Sequence, residues 1–278
     1  MAWRIRRTWL SRFVTVLFWL LALLYLYPLL LIALSSVKSS YELASSPSAW
    51  PVNWIFDNYR EAIIKSHYIR SLRNSFLLTG LNLFFLVLIG VMAAYALSRW
   101  QSKLANGLYF YFVCGMAAPL QLGVVPLYKI MRDFHLFGSI PGLALIYAVA
   151  ALPFSIFLWT GFIRGLPIEL EESAQIDGCS MLRLFWQIVF PLLKPVTATV
   201  LILNAIGSWN NFLYPLLFLP NPNLYPLPMA IFEFVGQYSS DWPGIFAVIA
   251  MIEAPVLLFY LMAQKHIIKG MTGGAVKG

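Results

Sequence analysis

Six long apolar runs limit the fold of this chain more than any other feature: 13–37, 76–97, 107–128, 140–163, 196–219 and 245–263. Each is close to the roughly 20 residues a helix needs to cross hydrocarbon. In lipid every backbone N–H and C=O must be paired inside the segment, so such runs become helices. Composition agrees, with 60% hydrophobic and only 11% charged residues, where soluble domains carry about 25% charged. The expectation is an all-α integral membrane protein with six transmembrane helices in one domain spanning 1–278. Pro119, Gly123 and Pro126 should kink or break the third run. Arg4, Arg6, Arg7 and Arg12 ahead of the first run resemble a signal-peptide start. That run is too long for a signal peptide and is expected to be an uncleaved span.

Net charge is +8, yet the basic residues are scattered at the ends of apolar runs. That is a membrane pattern and argues against a nucleic-acid partner. With the N-terminus inside, Arg4, Arg6, Arg7, Arg12, Arg99, Lys103, Arg164, Arg183, Lys194, Lys265, Lys269 and Lys277 fall on the cytoplasmic side. Only Lys38, Arg60, Lys65, Arg70, Arg73, Lys129 and Arg132 fall outside. The asymmetry predicts both termini in the cytoplasm, together with the charged stretch 164–195.

That stretch is built from local signals. Pro167 suits a helix start, and Glu169, Glu171 and Glu172 place negative charge at its dipole-favoured end. Ser173 and Ala174 keep one surface low. Gly178 supplies a left-handed stop, Ser180 a cap for a second helix, and Pro191 and Pro195 punctuate its end. The pattern predicts helix, glycine elbow, helix, outside the lipid. From these residues alone it is either a capped re-entrant loop or a docking element.

The spacing Glu172-Ser173-Ala174, three residues, Gly178, nine residues, Ile188-Val189-Phe190-Pro191 resembles the EAA loop of ABC-importer permeases. Ser173 and Phe190 are mild departures, and the surrounding PIELEESAQIDG is similar to the carbohydrate branch, the maltose-type second permease above all. Asn74-Ser75, Ala94 to Arg99, Pro119 with Pro126-Leu127-Tyr128, and the final Gly274-Ala275-Val276-Lys277-Gly278 also look like that branch. The resemblance implies a type I ABC importer permease fold in a bacterial or archaeal inner membrane. It implies a coupling loop carrying Glu171, Glu172, Ser173, Ala174, Asp177, Gly178, Ile188 and Pro191 into a cleft of a cytoplasmic ATPase. It implies that the tail 274–278 inserts between two ATPase subunits, and that ATP and Mg are bound there and not by this chain. The implied partners are a second, different permease and an extracytoplasmic sugar-binding protein, with a sugar as cargo. The 220–243 loop is expected to reach that binding protein, the alternative being a packed surface loop.

At 100° per residue Asn204, Gly207, Ser208, Asn211 and Pro215 share one face of the fifth run. A polar and small-residue stripe should face protein or water. It either lines a solute path, with Asn210, Trp209 or Tyr214 nearby, or packs on a partner helix. Trp209-Asn210-Asn211-Phe212 is similar to a Trp-Asn-acid-Phe element of the family, with Asn211 in place of the acid. Glu253 lies in the sixth run, where a carboxylate is costly and invites a functional role. In the first outer loop Asp57 is a candidate helix cap, and Tyr59 with Ile63 an apolar i,i+4 pair.

No phosphate-loop, G-x-S-x-G or H-E-x-x-H pattern occurs. His67, His135 and His266 stand in separate segments, and Cys114 and Cys179 have no ligand-spaced companion. No catalytic set and no metal site is expected. The competing readings are an importer of the same type for a non-sugar solute, and a secondary transporter, which would have to rely on Glu253 as its coupling carboxylate. An integral membrane enzyme is disfavoured by the missing catalytic residues.

Overall fold

The computed structural model describes residues 2–100, 102–236 and 240–273. Regular structure there is helical apart from one isolated bridge between Val235 and Ser240. The helices are α1 (Ala2–Ser35), α2 (Ser40–Ser45), α3 (Asp57–Lys65), α4 (Tyr68–Arg99), α5 (Lys103–Gly115), α6 (Val124–Asp133), α7 (Ile140–Arg164), α8 (Glu169–Ile176), α9 (Met181–Leu192), α10 (Lys194–Trp209), α11 (Leu213–Phe218) and α12 (Trp242–Gly273).

Of the expected spans, four are single helices long and apolar enough to cross a bilayer: α1 from Ser11, α4, α7 and α12. The other two are interrupted. The 107–128 run stops at Gly115 and resumes at Val124 after a 3₁₀ turn at Leu120–Gly123. The break falls at Pro119, which lacks the N–H a continuing helix would need. The 196–219 run ends its first helix at Trp209 and restarts at Leu213. Asn211 accounts for the restart, because its Oδ1 accepts the Tyr214 N–H at 3.1 Å, a helix-start bond. Pro215 therefore sits in α11 and does not extend the α10 stripe. Upstream, α9 and α10 form a pair bent by 77°. Contrary to expectation, α9 runs through Pro191. A π turn at Phe185–Val189 precedes that proline, and such widening relieves the clash of its ring with the preceding turn.

Two units divide the chain. The first comprises Met1–Ile69 and Ala230–Ala254. Beyond α1, its loop is cinched by polar bonds. Buried Lys38 donates to the Ser46 and Pro47 carbonyls, each at 2.9 Å, and Asn58 donates to the Ser36 and Lys38 carbonyls, also at 2.9 Å. Phe56, not Asp57, holds the α3 cap position, and Asp57 lies in the first turn. There its charge still complements the dipole. Asp241 caps α12 by accepting from the Gly244 N–H.

The second unit comprises Arg70–Met229 and Pro255–Gly278. Here α7 is the central post, packed on α5, α10 and the last turns of α4. One apolar cluster joins Leu86, Val91, Trp159, Ile163, Leu184, Val189 and Val200. A second joins Leu78, Leu143, Tyr147, Tyr214 and Phe218. Trp159 ties three helices together. Its indole donates to Thr197 of α10 at 3.0 Å, and a Cβ on Gly90 of α4 would lie 2.7 Å from its ring.

Candidate functional site

Gly165 and Pro167 end α7, and α8 begins two residues later with Glu169, Glu171 and Glu172 in its first turn. Gly178 closes α8 with φ +79°, the left-handed value that favours glycine. The Gly178 N–H bonds Gln175 O and the Cys179 N–H bonds Ala174 O, both at 3.0 Å, so the last carbonyls of α8 are satisfied. Ser180 occupies the cap position of α9, but its side chain makes no cap bond.

The loop residues divide into two sets. Glu172, Ser173, Asp177 and Gly178 lie on the exposed side with Gln175. Ile176, which sequence analysis did not single out, is 87% exposed, and Met181 and Leu182 across the elbow are also exposed. Glu171 and Ala174 point inward, and Ile188 is partly buried against the apolar cluster of the bundle. Pro191 is half-buried in α9.

Glu171, one of the residues that the resemblance assigns to the coupling loop, is 5% exposed and bonded within the chain. Its Oε1 accepts from Arg99 Nε at 2.8 Å and pairs with the Arg99 Nη2 at 2.7 Å. Its Oε2 accepts from the Tyr95 hydroxyl at 2.7 Å. Arg99 also donates to the Leu166 carbonyl. Charge-assisted bonds of this kind are the strong ones, and together they bolt α8 to the end of α4. The i,i+4 relation of Tyr95 and Arg99 puts both donors on one helix face. Nothing in the sequence pairs that face with Glu171, 72 residues away.

The polar stripe of α10 lines a cavity of about 220 Å³. Asn204, Gly207 and Ser208 are joined there by Asn211 and Tyr214, and by Asn82 of α4 and Tyr147 of α7. Trp209 is not part of this lining. Its ring meets Phe76 edge-on at 5.0 Å and borders a separate apolar pocket with Leu83, Ile206 and Phe259. Asn210 is exposed at the end of α10 and lines neither space. Glu253 is half-buried in α12 and lines neither space. Tail residues Gly274, Ala275, Val276, Lys277 and Gly278 lie outside the described residues, as do positions 237–239 of the 220–243 loop.

Comparison with known proteins places these features. The family described as "Binding-protein-dependent transport system inner membrane component" matches residues 86–273. A melibiose/raffinose/stachyose import permease of Bacillus subtilis (strain 168) is 33% identical, covering 99% of this chain and all of that one. A probable starch degradation products transport system permease of Thermoanaerobacterium thermosulfurigenes is 32% identical over 92% of this chain and 93% of its own length. In structure, a chain of a bacterial ABC transporter for the acidic polysaccharide alginate superposes with a TM-score of 0.81 at 25% identity, covering 92% of this chain and 95% of that one. The apolar helices, the polar loop bolted to them and these matches together identify the chain as a member of the binding-protein-dependent transport system inner membrane component family, a multi-pass membrane permease of ABC importers.

Proposed function

We propose that this chain is one of two different permease subunits of an ATP-driven sugar importer. It forms the membrane path for a sugar or oligosaccharide handed over by an extracytoplasmic binding protein. ATP and Mg are bound by two cytoplasmic ATPase subunits, and both termini of this chain face that compartment. The sugar relatives support the cargo class, with names that include melibiose, raffinose, stachyose and starch degradation products. A structural relative is described in complex with an alginate-pentasaccharide-bound periplasmic protein.

The single observation that carries the coupling role is the two-sidedness of α8. Its inner side is bolted to α4 through Glu171, Tyr95 and Arg99. Its outer side presents Glu172, Gln175 and the apolar Ile176. An element fixed to a span and exposed at its tip is a lever. Closure of the ATPase pair would carry the tip, and the bonds to α4 would pass the displacement into the bundle as a rigid-body motion. In this proposal Ile176 fills an apolar socket of the ATPase cleft, and Glu172 meets a basic or donor-rich rim. The tail 274–278 inserts between the ATPase subunits, and the 220–243 loop reaches the binding protein.

The test is Gly178→Val in the purified, reconstituted complex. Valine is strained at φ +79° although the space around Gly178 is open. Transport and binding-protein-stimulated ATP hydrolysis should fall together while membrane levels stay normal. Lost transport with intact stimulated hydrolysis would remove α8 from the coupling route.

A further inference from the structure

We propose that this subunit carries its own sugar-binding site, shaped for an uncharged sugar, in the cavity where α4, α7 and α10 meet. The site rests on the importer reading and adds which subunit touches the cargo and of what charge. Three polar atoms belonging to cavity-lining residues lack a hydrogen-bond partner among the described residues: Asn82 Oδ1, Tyr147 Oη and Tyr214 Oη. Their residues are only 1%, 7% and 6% exposed. Buried polar atoms are almost always paired, and at membrane depth bulk water does not relieve them. Ser155 and Thr160 also have unpaired hydroxyls. A hydroxyl of that kind can turn onto a carbonyl of its own helix, whereas a tyrosine hydroxyl or an asparagine Oδ1 held off its helix has no such recourse. Three orphaned groups, on side chains from three separate segments that all line one space, gain partners if those side chains turn toward a molecule held there.

The chemistry of the wall selects that partner. Asn82 Oδ1 can only accept, while the two phenols can donate and accept. Asn211 spends its Oδ1 on the Tyr214 N–H and Asn204 spends its Nδ2 on the Val200 carbonyl, which leaves one amide donor and one amide acceptor. Mixed donors and acceptors at close quarters match the hydroxyls of a sugar ring, each of which also does both. None of the lining residues is Lys, Arg, His, Asp or Glu. A uronate or phosphorylated sugar would lose its hydration there with no countercharge from this wall. The sequence stripe identified only the α10 side, and Asn82 and Tyr147 complete the site from α4 and α7.

The experiment uses the whole complex with its binding protein in proteoliposomes, and raffinose, maltotriose, diacetylchitobiose and an alginate trisaccharide as probes. A neutral probe should be transported in preference to the alginate trisaccharide. Tyr147→Phe and Asn82→Leu should each slow its transport about tenfold at saturating loaded binding protein, the loss of one buried hydrogen bond. Thr160→Val, which removes an unpaired buried hydroxyl outside the cavity, should not. Preference for the alginate trisaccharide, wild-type transport in both cavity variants, or loss of co-purification with the partner permease in Tyr147→Phe would each overturn the site while leaving the importer reading standing. Failure of the wild-type complex to move any of the four under ATP would sink the sugar-importer reading itself, and the site with it.

Discussion

Glu171 and Glu172 are neighbours in sequence and opposites in environment. One is buried against Arg99 and Tyr95, the other faces solvent on the same helix. Removing one partner of a buried pair leaves the other unsatisfied and costs about 3 kcal/mol, so Glu171→Ala should lower the melting temperature of the detergent-solubilised complex by several degrees. Glu172→Ala should leave the melt unchanged, because exposed charges contribute within about 0.5 kcal/mol, and should weaken only the docking read by stimulated ATP hydrolysis. An unchanged melt in Glu171→Ala would mean that the bolt does not hold α8. Asn211 illustrates a second residue-scale point. What the restart of α11 requires is an acceptor for the Tyr214 N–H, and an amide oxygen supplies it. Asn211→Asp should therefore keep the melt, whereas Asn211→Leu should cost about 1 kcal/mol.

At the scale of elements, legibility follows how local the cause is. Helices α1, α4, α7 and α12 were legible because twenty consecutive apolar residues admit little else. The Gly178 elbow was legible because a left-handed stop is a property of one residue. The length of α9 was not, since the π turn before Pro191 depends on packing of Phe185 and Val189 into the bundle. The inward turn of Glu171 and the Asn82–Tyr147 wall were hidden for the same reason: each depends on residues far apart in the chain meeting in space. The contact of Gly90 with Trp159 is another of these distant meetings and makes a clear prediction. A side chain at Gly90 would press on a ring that is fully buried and hydrogen-bonded to Thr197. Overpacking of that kind costs about 1–3 kcal/mol. Gly90→Val should reduce the yield of monodisperse complex and its melting temperature, and Gly80→Val, with open space around it, should do neither.

For the whole molecule the remaining question is which way the chain threads the membrane, and the proposed orientation rests on the cationic residues, a pattern that no single span carries. The excess of Lys and Arg at the N-terminus and in the segments around 99–103, 164–194 and 265–277 predicts that those parts stay in the cytoplasm, since basic residues near span ends resist export. In that orientation exposed α8 would meet the ATPase compartment and the 38–73 segment the outside. Thiol labelling tests this in intact cells, after Cys114 and Cys179, the two free cysteines, are replaced by alanine. Trp50→Cys, exposed in the loop after α2, should react with a membrane-impermeant maleimide. Lys103→Cys, exposed at the start of α5 and outside the docking loop, should react only after the membrane is opened. Both positions are solvent-facing, so a difference in labelling reports the side of the membrane and not local burial. Reversed labelling would invert the topology and separate α8 from any cytoplasmic ATPase, and the coupling proposal would fall with it.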